Sequence, residues 1–84
     1  MEDQDQPMQM RELTYGEKAV GLTFNPSNDP TVQDIKTHFA AVIDEIHRLR
    51  TDYPNSEIAR MASIAITEAQ AAQMWAVKAA TWKY

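Results

Sequence analysis

From Val32 onward, apolar residues return at alternating intervals of three and four: Val32, Ile35, Phe39, Val42, Ile46 and Leu49. That interval marks one face of a helix, and Ile43 widens the stripe. Gln33, Asp34, Lys36, Asp44, Glu45, Arg48 and Arg50 fill the other faces. Asp29 suits the N-cap, and Pro30 suits the first helical position, where its fixed φ fits and its missing N–H is not needed. Tyr53 precedes Pro54, which disfavours helical geometry at Tyr53, so the pattern predicts a first long helix over about 30–52.

A second periodic stretch follows. Ile58, Ala62, Ala65, Ala69, Ala72, Ala76 and Ala79 form a narrow seam that admits close approach of another helix. Offset from it lie Met61, Ile64, Ile66, Met74, Trp75, Val77 and Trp82, while the only charges between Ile58 and Ala80 are Arg60, Glu68 and Lys78. Asn55 or Ser56 can cap this helix, and Glu57 suits its first turn, giving an expected span of about 56–82. Two long helices joined this tightly are antiparallel neighbours, so the chain is predicted to be an all-α helical hairpin.

A hairpin partner covers one face of the second helix and leaves the other bare. An apolar patch of that length exceeds the few hundred Å2 that a monomer usually exposes. The expectation is a homo-oligomer formed through helix two. The alternatives are a monomer whose N-terminal segment folds over the bare face, or a small adaptor that docks a different protein there.

Upstream of Pro30 the periodicity fails. Residues 1 to 10 are polar and carry no pattern, so they read as a disordered tail or arm preceding a hairpin domain at 11–84. Between Arg11 and Asp29, Gly16, Gly21 and Pro26 interrupt any long helix; a short helical turn over Tyr15 to Val20 fits, with Gly21 as its C-terminal cap. This segment reads as a strap that packs Leu13, Val20, Leu22 and Phe24 on the helices.

Composition narrows the picture further. Eighty-four residues without cysteine make one small domain that lacks disulfides and thiolate zinc sites, leaving partners as the source of added stability. The net charge is −4, with twelve acidic against eight basic residues, and no basic run is present. Long nucleic acid is therefore a poor partner. The start of the chain lacks the basic and apolar regions of a signal peptide, and no uncharged stretch is long enough for a bilayer, so a soluble cytoplasmic protein without membrane association is expected.

Catalytic patterns are thin. His38 and His47 stand nine apart on helix one, a spacing that does not place both on one metal, and they read as solvated surface residues. Ser63 and Thr67 lie inside helix two without a nucleophile elbow, and no Gly-rich phosphate loop is present. The chain is expected not to be an enzyme and to need no metal or cofactor; a phosphodiesterase ranks behind the binding and adaptor readings.

Three features suit a small phosphate-bearing ligand. Phe24, Tyr15 and Tyr84 offer rings for stacking on a base. The N-terminus of helix one offers N–H groups beside Asn25, Ser27 and Asn28, although Asp29 competes with an anion there. Lys36 and Arg60 lie near the starts of their helices, where a cation opposes the dipole, so each serves a ligand or an acidic neighbour. Thr67, Glu68 and Gln70, set among apolar positions, need hydrogen-bond partners if buried.

The stretch "ARMASIAITEAQAAQMWAVKAAT", Ala59 to Thr81, resembles the C-terminal helix of the bacteriophage anti-CBASS and anti-Thoeris sponges, small helical-hairpin proteins that sequester cyclic nucleotide messengers of host immunity. Arg60, Ile64, Ile66, Thr67, Glu68, Gln70, Met74, Val77 and Lys78 carry the likeness, with Ile35 and Lys36 matching more loosely. The resemblance implies a homo-oligomer, typically a hexamer, in the host cytoplasm. It implies binding of cyclic dinucleotides between protomers without cleavage, and for some members cyclic trinucleotides in separate pockets; signals of the cyclic ADP-ribose type are a further class. By the same likeness, Phe24 would stack on a base, Lys36 would meet phosphate, and Arg60 would belong to the trinucleotide pocket. One departure stands out: the family's Tyr-Arg pair before helix one reads Phe24-Asn25 here. The expected ligand set is thus Phe24, Asn25, Lys36, Arg60, Thr67 and Tyr15, with the helix-one N–H groups assisting at phosphate.

Overall fold

The computed structural model describes residues 11–84, and the expected tail at 1–10 lies outside them. Three helices follow one another: α1 (Tyr15–Val20), α2 (Pro30–Asp52) and α3 (Ser56–Ala80). The described chain is a helical hairpin of α2 and α3 with α1 strapped across it.

Local chemistry sets each boundary. Asp29 Oδ1 accepts the Thr31 and Val32 N–H groups at 2.8 and 3.4 Å, capping α2. Asn55 Oδ1 does the same for Glu57 and Ile58 at 2.9 and 3.1 Å, starting α3 just after Pro54 turns the chain. At its other end α3 stops at Ala80, two residues short of the periodic pattern. There the Thr81 hydroxyl donates to the Val77 carbonyl at 2.9 Å, and the chain leaves the helix axis.

The strap is locally self-supporting. Thr14 and Glu17 form a capping box, and Arg11 grips the Glu17 carboxylate through two nitrogens at 3.0 and 2.8 Å. Hydrogen bonding from Arg11, then from the Thr14 backbone, holds the Glu17 carboxyl below the ordinary carboxylate range. Gly21 closes α1 in the left-handed region at φ 63°, a conformation that costs glycine little. Gly16 does not interrupt the strap helix but sits inside it, at the point of closest approach to α2. A Cβ there would lie 2.1 Å from the Ala40 carbonyl oxygen, and the Gly16 N–H donates to Asp44 Oδ1 at 2.6 Å.

Val20 and Leu22 from the strap, Ala40 and Ile43 from α2, and Ile66 from α3 make the core, with Ala19, Phe39, Ile46 and Ala69 packed around it. This rotates α2 relative to the sequence pattern. Ile43, assigned to the edge of the stripe, is fully buried, whereas Val42 and Leu49 of the expected seam are 50% and 39% exposed. The buried line runs Val32, Lys36, Ala40 and Ile43, so Lys36 belongs to the interior rather than to a polar face. The cause is that α2 is gripped from two directions, by the strap and by α3, and the buried face lies between them.

On α3 the buried residues are Ala62, Ile66 and Gln73. Gln70 finds its partner in the strap, donating to the Ala19 carbonyl at 3.3 Å. Because the strap runs along this inner side, it leaves the outer residues Met61, Ile64, Met74, Trp75 and Trp82 about half exposed or more. The thinnest extent of the backbone is 13 Å, close to the diameter of one helix, and a single layer has two faces and covers only its inner seams.

Candidate functional site

The loop between α1 and α2 is built by Asn25. Its Oδ1 accepts the Asp29 N–H at 3.1 Å, and its Nδ2 donates to the Asp29 carbonyl at 2.9 Å and to Gln33 Oε1 at 3.4 Å. The Asn25 carbonyl also accepts the Asn28 N–H at 2.9 Å. Asn28 takes a left-handed φ of 53°, which asparagine tolerates better than most residues. Held this way, the loop turns the carbonyls of Gly21 and Phe24 toward α2.

Lys36 Nζ meets them, donating to Gly21 O at 3.0 Å and Phe24 O at 2.5 Å. An ammonium has three N–H donors, so one remains for another acceptor. The Phe24 ring lies 5.5 Å from Nζ and is 71% exposed, whereas Lys36 is 6% exposed. Burial lowers the Lys36 pKa below its ordinary 10.5. An aromatic face open to solvent thus stands beside a largely desolvated cation with a spare donor.

Because the hairpin is antiparallel, the end of α3 returns to the start of α2. Phe24, Asn25, Ser27, Asp29, Val32 and Lys36 share a cavity of about 210 Å3 with Val77, Thr81 and Lys83. The last three escape a reading of local motifs. The signal for them is the register of the hairpin, which folds the residues after Ala76 onto the first turns of α2.

Of the expected ligand residues, the chain brings together Phe24, Asn25 and Lys36. Asn25 has its side-chain oxygen and nitrogen committed to Asp29 and Gln33, so it shapes the loop. Tyr15 stacks on His47 with centroids 4.2 Å apart and planes 11° from parallel. Arg50 lies over the same ring at 5.2 Å, donates to His47 Nδ1 at 3.0 Å, and reaches Ser63 Oγ at 2.8 Å. His47 is therefore a partly buried packing element that ties α1 to the α2–α3 contact, while His38 is exposed as expected. Arg60 pairs with Glu57 on the surface, the acidic neighbour that offsets its unfavourable place near a helix start. Thr67 donates to the Ser63 carbonyl at 3.1 Å. Tyr84 is 99% exposed, edge-on to Trp82.

One expectation is overturned. The α2 N-terminus does not offer N–H groups to a phosphate: Asp29 Oδ1 takes those of Thr31 and Val32, the Asp29 carbonyl takes that of Gln33 at 3.0 Å, and Pro30 has none. Asp29 also lines the cavity, and its negative charge there opposes an anion. The positive charges on the cavity lining are those of Lys36 and Lys83.

Elsewhere, Ile46, Leu49, Tyr53, Ile58, Met61 and Ala65 border an open apolar groove of about 500 Å3 near the closed end of the hairpin. Trp75, Lys78 and Trp82 form a shallow aromatic surface, with Lys78 Nζ 5.4 and 5.9 Å from the two rings. Among the described residues, no His, Cys, Asp or Glu group is placed to hold a metal ion, and no helix is long and apolar enough to cross a membrane.

Fold and cavity together define a strapped helical hairpin with an aromatic-walled, cationic pocket at its open end. A family model described as the Acb2/Tad1 hairpin domain matches residues 17–81, and the chain belongs to that family. These are the anti-CBASS and anti-Thoeris proteins, known for sequestering cyclic oligonucleotides. The likeness first carried by Ala59–Thr81 thus extends over most of the chain. No curated protein and no solved structure matches it.

Proposed function

We propose that this protein is a sponge: it binds a cyclic oligonucleotide messenger, a cyclic dinucleotide or one of the related cyclic trinucleotide or cyclic ADP-ribose-type signals, and holds it without cleavage in the host cytoplasm. The observation that carries the reading is the pairing of the exposed Phe24 ring with the buried, still partly unsatisfied ammonium of Lys36. A base stacks on Phe24, and a phosphate oxygen takes the third Lys36 donor. Family membership supports this ligand class.

Residues 11–84 act as one domain that assembles into a homo-oligomer, a hexamer by family likeness, through the outer face of α3. Met61, Ile64 and Trp75 lose their water contact there, which favours association roughly in proportion to the apolar area covered. Arg60, Thr67 and Tyr15 lie away from the cavity and reach a ligand only across a subunit boundary. Preformed walls reduce the ordering cost of binding, which is what sequestration needs.

The test is native mass spectrometry of the purified protein with cyclic di- and trinucleotides, then heat denaturation and chromatography of what is released. Intact ligand returned stoichiometrically from an oligomer supports the sponge. Hydrolysed or linear product would make it an enzyme. The exposed Met61, Met74 and Trp75 side chains also suit a docking adaptor, and binding to no cyclic nucleotide would favour that reading.

A further inference from the structure

The outer face of α3 carries two opposite charges within its apolar row. Ile64, Glu68, Ala71, Trp75 and Lys78 recur there at intervals of four and three, and the row continues to Trp82 just past the helix end. It lies on the side away from the buried Ala62, Ile66 and Gln73. Glu68 and Lys78 are exposed and form no ion pair among the described residues. We propose that α3 pairs antiparallel with α3 of a second copy, around a two-fold axis level with Gln73, so that Glu68 of each chain meets Lys78 of the other. The inference rests on the reading that the protein assembles through this face.

Spacing is the first argument. A row at alternating intervals of three and four is the seam by which two helices pack side by side. In an antiparallel pair, residues equally far from the axis on either side of it meet. Gln73 is midway between Glu68 and Lys78 in sequence, so an axis at its level opposes the two charges twice, once on each side, as an isologous contact requires. The same axis sets Ala71 opposite Trp75 and Ile64 opposite Trp82 of the second copy, so a small side chain meets a large one beside the axis. Trp75 and Trp82, 69% and 59% exposed, gain a neighbour that their own hairpin does not give them.

Charge is the second argument, and it selects among the ways of pairing. A parallel pair would bring Glu68 onto Glu68 and Lys78 onto Lys78, and like charges placed together oppose association. Sliding the antiparallel pair by one heptad either way leaves each charge against an uncharged side chain or beyond the end of the other copy. A polar or charged residue inside an apolar seam fixes register and orientation at some cost in stability. Lys78 is already turned along the seam: its Nζ stands 5.4 Å from the Trp75 ring and 5.9 Å from the Trp82 ring.

The experiment is light scattering coupled to size exclusion over a range of protein concentrations, on the full chain as wild type, Glu68→Lys, Lys78→Glu and the double variant. Circular dichroism establishes that each keeps its helices. Each single variant creates two like-charge contacts across the axis and is expected to raise the concentration at which the assembly dissociates by at least about tenfold. The double variant reverses both partners and should return to the wild-type value. Disulfide trapping reads the direction of pairing, since the chain has no cysteine of its own. Glu68→Cys mixed with Lys78→Cys should yield a linked dimer that neither yields alone, because like positions lie about 15 Å apart along the antiparallel pair, beyond the reach of a disulfide. Single variants that keep the wild-type assembly, a double variant that stays dissociated, or Glu68→Cys protein that links to itself would each overturn the pairing. If any of these occurs while wild type is an oligomer, assembly stands and only this register falls. If wild type is a monomer at every concentration, both fall together.

Discussion

The ammonium of Lys36 lies 5.5 Å from the centre of the Phe24 ring and donates to that residue's own carbonyl oxygen at 2.5 Å. One contact fixes the backbone from which the ring projects, and the other places a positive charge beside the ring. Lys36→Met keeps the apolar stem and removes both. Its stability should change by only about 1 kcal/mol, because losing two hydrogen bonds is offset by no longer burying a charge. Its affinity for a cyclic nucleotide should fall at least about tenfold. Thermal unfolding and calorimetric titration of the same variant separate the two effects, and a large loss of stability with unchanged affinity would make Lys36 a purely structural residue.

Burial lowers the Lys36 pKa, and the sign of the resulting pH dependence is fixed. Between the folded pKa and the ordinary 10.5, the unfolded chain keeps a proton that the folded chain gives up, so stability rises with pH across that window. Below the folded pKa the cost of the buried charge is present in full. Ligand binding runs the other way: a phosphate is held by the charged form, so affinity falls as pH rises through the folded pKa. Denaturation and titration series from neutrality into the alkaline range, each referenced to Lys36→Met to cancel other groups, should show opposite slopes.

Gly16→Ala should loosen the strap. Its Cβ would meet the Ala40 carbonyl of the α2 backbone at 2.1 Å, and neither helix can yield without weakening the Gly16–Asp44 hydrogen bond. The gain in helix propensity, at most about 1 kcal/mol, does not compensate. We expect a net loss of about 1–3 kcal/mol, read as a lower denaturation midpoint. An unchanged midpoint would mean that the strap does not bear on α2 at this position.

Met61→Glu tests the outer face. Met61 is 51% exposed and borders the apolar groove near the turn. A carboxylate there costs the isolated chain little but is penalised where a second copy covers it. Light scattering coupled to size exclusion should show a smaller species with unchanged helical circular dichroism. An assembly that withstands the substitution places the interface away from Met61.

Much of the scaffold is legible in single residues: Asp29 and Pro30 opening α2, Asn55 opening α3, Gly21 closing α1. These are local effects, each decided within one turn of chain. The buried face of α2 is less legible, because it is chosen by two neighbours at once, and no period along one helix shows where the strap lies. Lys36 therefore looks polar by pattern and is interior by packing. The cavity is half visible for a similar reason. Phe24, Asn25 and Lys36 stand close in sequence, whereas Lys83 joins them only through the hairpin register. The sealed first turn of α2 depends on one carboxylate rotamer, which residue type alone does not reveal.

That sealed turn bears on how such a protein can change over generations. Asp29, Asn25 and Gln33 close the loop's hydrogen bonds upon one another, so the backbone around the cavity is held in place without help from the Phe24 ring or from Lys83. Those two side chains are free to be exchanged one at a time. Under the proposed function, a lineage confronted with a new messenger would retune the pocket in single steps, each leaving the hairpin intact.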